Sequence, residues 1–306
     1  MTDVAVFGSV NLDRTERVSV ERVERLASER DPFPSAGETI TVAEPPPGFD
    51  PVATRLGGKG ANQIVAAARA DASASIHGAI GPDATEFDVR EQFTAEGVDP
   101  QLFDRETETG AAYIWVTPDG ENRIVVVAGA NGTLTPADAA DRAPAIGEAT
   151  VLLLQNEIPV PAAIELLDRL PDPGPTVVVD PAPTAGAEPL VTHEAVDLLV
   201  PNEREFDALQ ASLRTATRAG ATIVRTEGAD GASIFADLDG RPRYHVTAPD
   251  VDAVDTTGAG DAFIGYLGAE LAGDRTLKVA VEVAVRAGSR SCETSGAMSA
   301  PHRDAL

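Results

Sequence analysis

Cysteine, lysine and aromatic residues are nearly missing from this chain. Cys292 is the only cysteine among 306 residues. That excludes an internal disulfide framework and a multi-thiolate metal site, and it fits a reducing cytoplasm. Lysine occurs only as Lys59 and Lys278, so nearly every cation is an arginine, and aromatics make up 4 %. No apolar run reaches the ~18 residues of a membrane span. The start, Met1-Thr-Asp-Val-Ala-Val-Phe-Gly, lacks the basic and apolar segments of a secretory signal. A cytoplasmic location is therefore expected. Basic character is missing as well: 24 Lys and Arg face 49 Asp and Glu, a net charge of −25. Nucleic-acid binding, which needs a basic face, is not expected.

What is present points to a folded protein. Hydrophobic residues make up 43 % and the carboxylates are dispersed, which argues against a disordered acidic tail. The length suits one large core, with or without a small appendage. Such a surface repels itself in dilute buffer, whereas salt at 1 M screens charges to about 3 Å. The composition resembles that of proteins from halophilic archaea.

Short apolar runs alternate with helical segments. Val4 to Val10, Ser75 to Gly81, Val151 to Gln155, Thr176 to Asp180, Val196 to Val200 and Ala221 to Thr226 read as buried, mostly parallel strands. Gly60 to Ala70 and Glu86 to Glu96 read as helices. Ala111–Thr117 and Asn122–Val127 flank Pro118-Asp119-Gly120, a hairpin signal. The pattern predicts an α/β protein, a three-layer sandwich around a mostly parallel sheet. Residues 14–56 are less regular. Thr39 to Val42 reads as an edge strand, while Asp31-Pro-Phe-Pro, Gly37 and Pro45-Pro-Pro-Gly read as loop.

The sharpest motif is Asp255-Thr-Thr-Gly-Ala-Gly-Asp261-Ala-Phe. Gly258, Ala259 and Gly260 allow a tight turn and close backbone approach at the start of a helix. Helix N-termini offer unpaired N–H groups and a positive dipole end to a phosphate. Asp261 stands beside that anion site, where it can take a proton from a hydroxyl. The second motif is Gly57-Gly-Lys-Gly-Ala-Asn-Gln63. Ligands in parallel sheets bind at the carboxyl ends of strands, which singles out Asn11, Asp13, Asn156, Glu157, Asp180 and Asn202 to Glu205. A sugar needs such amides and carboxylates for its hydroxyls. The structural alternatives are that Asn62 caps a helix, Asp13 starts a turn and Glu157 is solvated.

Gly8-Ser-Val-Asn-Leu-Asp13, Gly57 to Gln63, Pro201-Asn-Glu-Arg-Glu205 and Asp255 to Phe263 resemble, in order and spacing, the ribokinase-like (PfkB) carbohydrate kinases. Gly120-Glu-Asn-Arg-Ile and Ala128-Gly-Ala-Asn131 bring the likeness closest to the ribokinase branch. The likeness runs from about residue 4 to Pro301. It implies a single kinase domain over 1–306, with a β lid formed mainly by 14–56 and 111–127. It implies an ATP-dependent kinase of a small sugar, D-ribose first. Another sugar, a nucleoside or a sugar phosphate is the alternative, with Arg55 and Arg123 as candidates to meet a substrate phosphate. A non-catalytic binding protein is the alternative from another class.

By resemblance, Asp261 is the catalytic base and the N–H groups at Gly258, Ala259, Gly260 and Asp261 form the anion hole. Asn11, Asp13, Gly58, Lys59, Asn62 and Glu157 contact the sugar. Asn202, Thr226, Gly228 and Gly260 meet the nucleotide. Asn202 and Glu205 organise Mg²⁺ through water. Asp255, Thr257, Ser291 and Gly296 resemble a monovalent-cation site, expected to hold K⁺. The structural alternatives are that Asp255 caps the turn and Glu205 is a helix-surface carboxylate. The resemblance also implies a homodimer through the lid. Three features depart from the family: a long stretch between Asp13 and Gly57, a short one from Glu205 to Ala221, and an acidic Glu227 near the adenine site. His77, His193, His245 and His302 have no partner spacing and read as structural or surface residues. Trp115 and Cys292 read as packing.

Overall fold

The computed structural model describes every residue except Met1, Asp31 and Gly37. The loop readings at Asp31 and Gly37 therefore lie outside the described residues. Among those described, nine strands form one sheet. In sequence order they are β1 (Val4–Phe7), β5 (Ala74–Ile80), β6 (Val98–Asp104), β9 (Val151–Gln155), β10 (Thr176–Asp180), β11 (Leu198–Leu199), β12 (Thr222–Thr226), β13 (Ala232–Phe235) and β14 (Tyr244–Val246). Their spatial order is β14-β13-β12-β11-β10-β9-β1-β5-β6. All neighbours from β12 to β6 are parallel, and β13 and β14 add an antiparallel edge.

The strands read as unbroken apolar runs because both faces are covered. Val4, Val6, Val151 and Leu153 pack on one side, with α2 (Lys59–Arg69), α3 (Val89–Ala95), α9 (Ala259–Ala272) and α10 (Leu277–Ser291). Ala5, Phe7, Leu152 and Leu154 pack on the other, with α4 (Pro136–Ile146), α5 (Val160–Asp168), α6 (Glu188–Val191), α7 (Glu203–Ala208) and α8 (Gln210–Ala219). This is the expected α/β sandwich. The short stretch after Glu205 still accommodates α8. One close approach matters for function: a Cβ on Gly265 of α9 would fall 2.3 Å from the Gln63 carbonyl oxygen of α2. Glycine there lets the two helices touch and brings Asn62 and Gln63 to the start of α9.

A second sheet is built from β2 (Asn11–Arg17), β3 (Thr39–Val42), β4 (Ala53–Gly57), β7 (Gly110–Val116) and β8 (Asn122–Val127), in the order β3-β8-β7-β2-β4. β7 and β8 form the expected antiparallel hairpin. Residues 14–56 are more regular than their sequence suggested. They include α1 (Val20–Glu29), capped by the Ser19 hydroxyl, which accepts from the Arg22 N–H at 3.3 Å. The signal was there: Val20, Val23 and Leu26 recur at helical spacing behind a serine cap.

Helix α1 covers one face of this sheet. Val23 and Leu26 are buried with Tyr113, Trp115 and Val125, and Phe33, Ile40 and Phe49 pack on them. Burying each such side chain is worth roughly 1.5–3 kcal/mol. Trp115 meets Phe33 at 5.3 Å and Phe49 at 5.1 Å between ring centroids. Its Nε1–H donates to Glu16 Oε2 at 3.0 Å, and Arg22 pairs with the other Glu16 oxygen at 2.7 Å. Trp115 is thus packing, as its hairpin position predicted. No described helix is long and apolar enough to cross a membrane.

Candidate active site

Strand β2 carries Asn11 and Asp13 on one face, since strand side chains alternate. Gly57 makes room for Asp13: a Cβ on it would lie 2.1 Å from Asp13 Oδ2. Gly58 then turns the chain with φ +91° and caps α2, placing Lys59, Asn62 and Gln63 in its first turns. Asn131, in the loop after β8, orients Asn11. Its Nδ2 donates to Asn11 Oδ1 at 2.8 Å and to the Val10 carbonyl at 3.1 Å, while its Oδ1 accepts from the Val10 N–H at 3.0 Å.

Asp261 is buried (6 % exposed) in the first turn of α9. Asn62 Nδ2 donates to its Oδ2 and Gln63 Nε2 to its Oδ1, both at 3.0 Å. The Lys59 ammonium lies 3.7 Å from Asp261 Oδ1 and 3.0 Å from Asp180 Oδ2. Gln63 Nε2 also reaches Asp180 Oδ2 at 3.1 Å, and its Oε1 accepts from Gln155 Nε2 at 2.6 Å. Glu157 Oε2 accepts from the Ser9 hydroxyl at 2.6 Å and the Lys59 N–H at 3.2 Å. Sequence reasoning assigned no role to Ser9, Gln63, Asn131 or Gln155. Ser9, Gln63 and Asn131 stood inside quoted motifs, whereas Gln155 merely ended an apolar run and is placed by the fold.

One ammonium thus serves a cluster of carboxylates. Burial disfavours the Lys59 charge, but Asp180, Asp261 and Glu157 outweigh it and hold its pKa well above the ordinary value. The acids shift the other way. Burial, with Glu157 and Asp261 nearby, pushes Asp13 up to about 7. Burial also raises Glu157 and Asp180, against the pull of Lys59. Such a site favours an incoming cation or a shared proton.

The start of α9 is open to an anion. Gly258 adopts φ +78°, and a Cβ there would strike the Ala297 carbonyl oxygen at 2.0 Å. The Ala259 N–H bonds back to Thr256 O and that of Ala262 to Gly258 O. The N–H groups of Gly260 and Asp261 find no acceptor among the described residues, and no atom lies within 4 Å of a Cβ placed on Gly260. Asp255 fixes this turn: its Oδ1 accepts from the Thr257 N–H at 3.0 Å and its Oδ2 from the Gly296 N–H at 2.9 Å. The Ser291 carbonyl accepts from the Ser299 hydroxyl at 3.0 Å. The four predicted cation residues therefore gather beside the turn, with the Asp255 carboxylate already committed to N–H donors.

Asn202 and Glu205 form a capping box on α7. Asn202 Nδ2 donates to Glu205 Oε1 at 2.7 Å, its N–H to Oε2 at 2.9 Å, and the Glu205 N–H donates to Asn202 Oδ1 at 3.0 Å. Burial, then Asp180, raises the Glu205 pKa. Thr226 pairs with Asn202 at the end of β12, and Gly228 follows with φ +54°. Glu227 is spoken for: it bonds Arg225, which stacks on Phe206 and Phe235, and lies 3.3 Å from His245. The other expected structural residues hold. His77 is buried, and burial followed by Arg142 lowers its pKa to about 4. His193 meets Asp168 on the surface, and Cys292 is buried.

A cleft of about 550 Å³ lies between the sheets, with Thr39, Thr41 and Val126 above and Lys59, Glu157 and Glu205 below. A smaller cavity of about 310 Å³, between Asp3, Glu270 and Arg303, contains none of the predicted site residues.

The profile of the pfkB family carbohydrate kinases matches residues 1–303. The chain belongs to this family. Among its relatives is the ribokinase of Staphylococcus aureus (strain COL), 33 % identical over 276 residues that cover 86 % of this chain and 84 % of that protein. The Thermotoga maritima ribokinase structure superposes with a TM-score of 0.80 at 27 % identity, covering 99 % of this chain and 97 % of that one. The Arabidopsis thaliana ribokinase structure, complexed with ribose and ATP, gives 0.76 at 25 % identity, covering 99 % and 96 %. This pfkB protein is thus an ATP-dependent carbohydrate kinase with a ribokinase-type fold.

Proposed function

We propose that the protein phosphorylates the primary hydroxyl of a small sugar, D-ribose first, to give D-ribose 5-phosphate. The observation that carries this reading is the placement of Asp261, held by Asn62 and Gln63 beside the open Gly260 turn. Asn11, Asp13, Asn62 and Glu157 offer the sugar amides and carboxylates, with Lys59 and the Gly58 backbone beside them. Asp261 takes the hydroxyl proton as the sugar oxygen bonds the γ-phosphorus and the β–γ bridging oxygen leaves with ADP. The Gly260 and Asp261 N–H groups stabilise charge on the transferred group, so positioning and electrostatics supply most of the catalysis.

Asn202, Thr226 and Gly228 line the nucleotide side in this reading. Glu205 fits Mg²⁺ through water: it is a half-buried carboxylate near Asp180, and its direct bonds go to Asn202. Mg²⁺ neutralises phosphate charge when bound. A monovalent cation, K⁺ in this account, would rest on oxygen donors around Asp255, Thr257, Ser291 and Gly296. The small sheet acts as the lid, within one kinase domain, and the enzyme works in the cytoplasm of a cell rich in salt.

The expected homodimer through the lid meets a face already filled by α1 and Phe49. A homodimer through the lid would therefore form over α1 or along the edge strands β3 and β4, and a sedimentation mass of two chains is expected.

The test is ADP release in high KCl with Mg·ATP and ribose, fructose, 2-keto-3-deoxygluconate, ribose 1-phosphate or adenosine. Strong turnover with ribose supports the reading. Turnover confined to another compound moves the substrate and keeps the chemistry, whereas none with any compound overturns the kinase reading.

A further inference from the structure

Arg55 lies on β4 directly opposite Asp13 of β2, so the two side chains leave the sheet on the same, cleft-facing side. The guanidinium reaches across to the main domain: its Nη1 lies 3.0 Å from where a Cβ on Gly296 would stand. That glycine belongs to the loop that braces the phosphate turn. Its N–H donates to Asp255, and the neighbouring Ala297 carbonyl packs on Gly258. Arg55 is exposed and forms no ion pair or hydrogen bond to another side chain among the described residues. Without such a partner, Arg55 keeps its charge available at the edge of the site, in a chain with 49 acidic and 24 basic residues. Lys59, the other cation of the site, is committed to Asp180 and Asp261. Arg123, the other arginine singled out in the sequence, lies 3.7 Å from Glu121.

We propose that Arg55 clamps the γ-phosphate of the nucleotide from the lid side, opposite the Gly260 and Asp261 N–H groups. A guanidinium offers forked donors suited to phosphate oxygens, and positive charge is short where the transferred group gathers negative charge. Because β4 also runs into Gly57 and pairs with β2 at the sugar-facing Asp13, the same strand senses sugar and phosphate. The proposal rests on the kinase reading above, so its test includes a readout that does not need turnover.

Calorimetry at one fixed KCl concentration compares a non-hydrolysable ATP analogue with ADP, for the wild type and for Arg55→Ala and Arg55→Lys. The ratio of the two affinities isolates the γ-phosphate. The expected result is a ratio lowered at least fivefold in Arg55→Ala and by less in Arg55→Lys, with ADP affinity unchanged. With the active sugar, kcat should fall at least tenfold while sugar KM moves less than twofold. An unchanged ratio, or an equal loss for ADP and the analogue, overturns the proposal. Absence of turnover in the wild type would count against the kinase reading instead, and the binding ratio would still decide the role of Arg55.

Discussion

The Lys59 ammonium stands 3.7 Å from the Asp261 carboxylate, and no other basic side chain among the described residues forms an ion pair with it. The same ammonium holds Asp180 at 3.0 Å. Removing it strands two buried carboxylates, and breaking a buried pair costs about 3–5 kcal/mol. Lys59→Met is therefore expected to lose stability of that order in urea unfolding at neutral pH. The folded pKa of Lys59 is raised. Its contribution is thus complete below the ordinary lysine pKa and fades only as pH climbs through the raised folded value.

Asp13 titrates in the opposite sense. Its folded pKa stands at about 7 against an ordinary 3.8, mainly through burial. Ionised Asp13 therefore opposes folding: the cost is absent below the ordinary value, grows through the interval, and is complete above the folded value. Asp13→Asn should match wild-type stability near pH 4 and exceed it near pH 8. The expected gain is on the order of 2 kcal/mol, discounted because the carboxyl keeps a solvent-facing edge in the cleft. Sugar affinity should fall at both pH values. Denaturant unfolding of both proteins across this range checks the sign, and a gain at acid pH would contradict it.

Gly260 and Gly57 separate ligand space from protein space. A Cβ on Gly260 meets nothing within 4 Å, whereas one on Gly57 meets Asp13 at 2.1 Å. Gly260→Ala should unfold within a few degrees of the wild type and yet lose nucleotide turnover at least tenfold. Gly57→Ala should lose about 1–3 kcal/mol through overpacking and raise sugar KM. Paired melting curves and kinetics distinguish the two.

The net charge of −25 makes stability depend on salt. Screening at molar concentration relieves self-repulsion that dilute buffer leaves in place. The thermal midpoint should rise steadily between 0.1 M and 3 M KCl. A midpoint that stays flat would remove the halophilic reading of the surface.

Much of this was legible in the sequence, for definite reasons. The parallel strands announced themselves because burial on both faces leaves no polar alternation, as in Val151 to Gln155. The glycine turn before α9 was legible because Gly258 must take a positive φ that other residues avoid. Helix α1 was missed where prolines and charge on either side of it drew attention away from the spacing of Val20, Val23 and Leu26. The bond from Gln63 to Asp261 depends on the contact between α2 and α9, and that to Asp180 on the seat of α2 at the end of β10; the partners lie 198 and 117 residues apart, and no local pattern encodes such contacts. Asn202 and Glu205 carry both readings, since their spacing closes a helix cap and also leaves a half-buried carboxylate facing the cleft.

The central claim is that Asp261 removes the proton from the sugar hydroxyl. Its most direct test is Asp261→Asn, with turnover measured by ADP release and sugar and nucleotide binding measured by calorimetry. An amide keeps the shape but cannot take the proton, so kcat should fall about 10²–10⁴-fold while both ligands still bind. An Asp261→Asn protein with wild-type kcat would contradict the account.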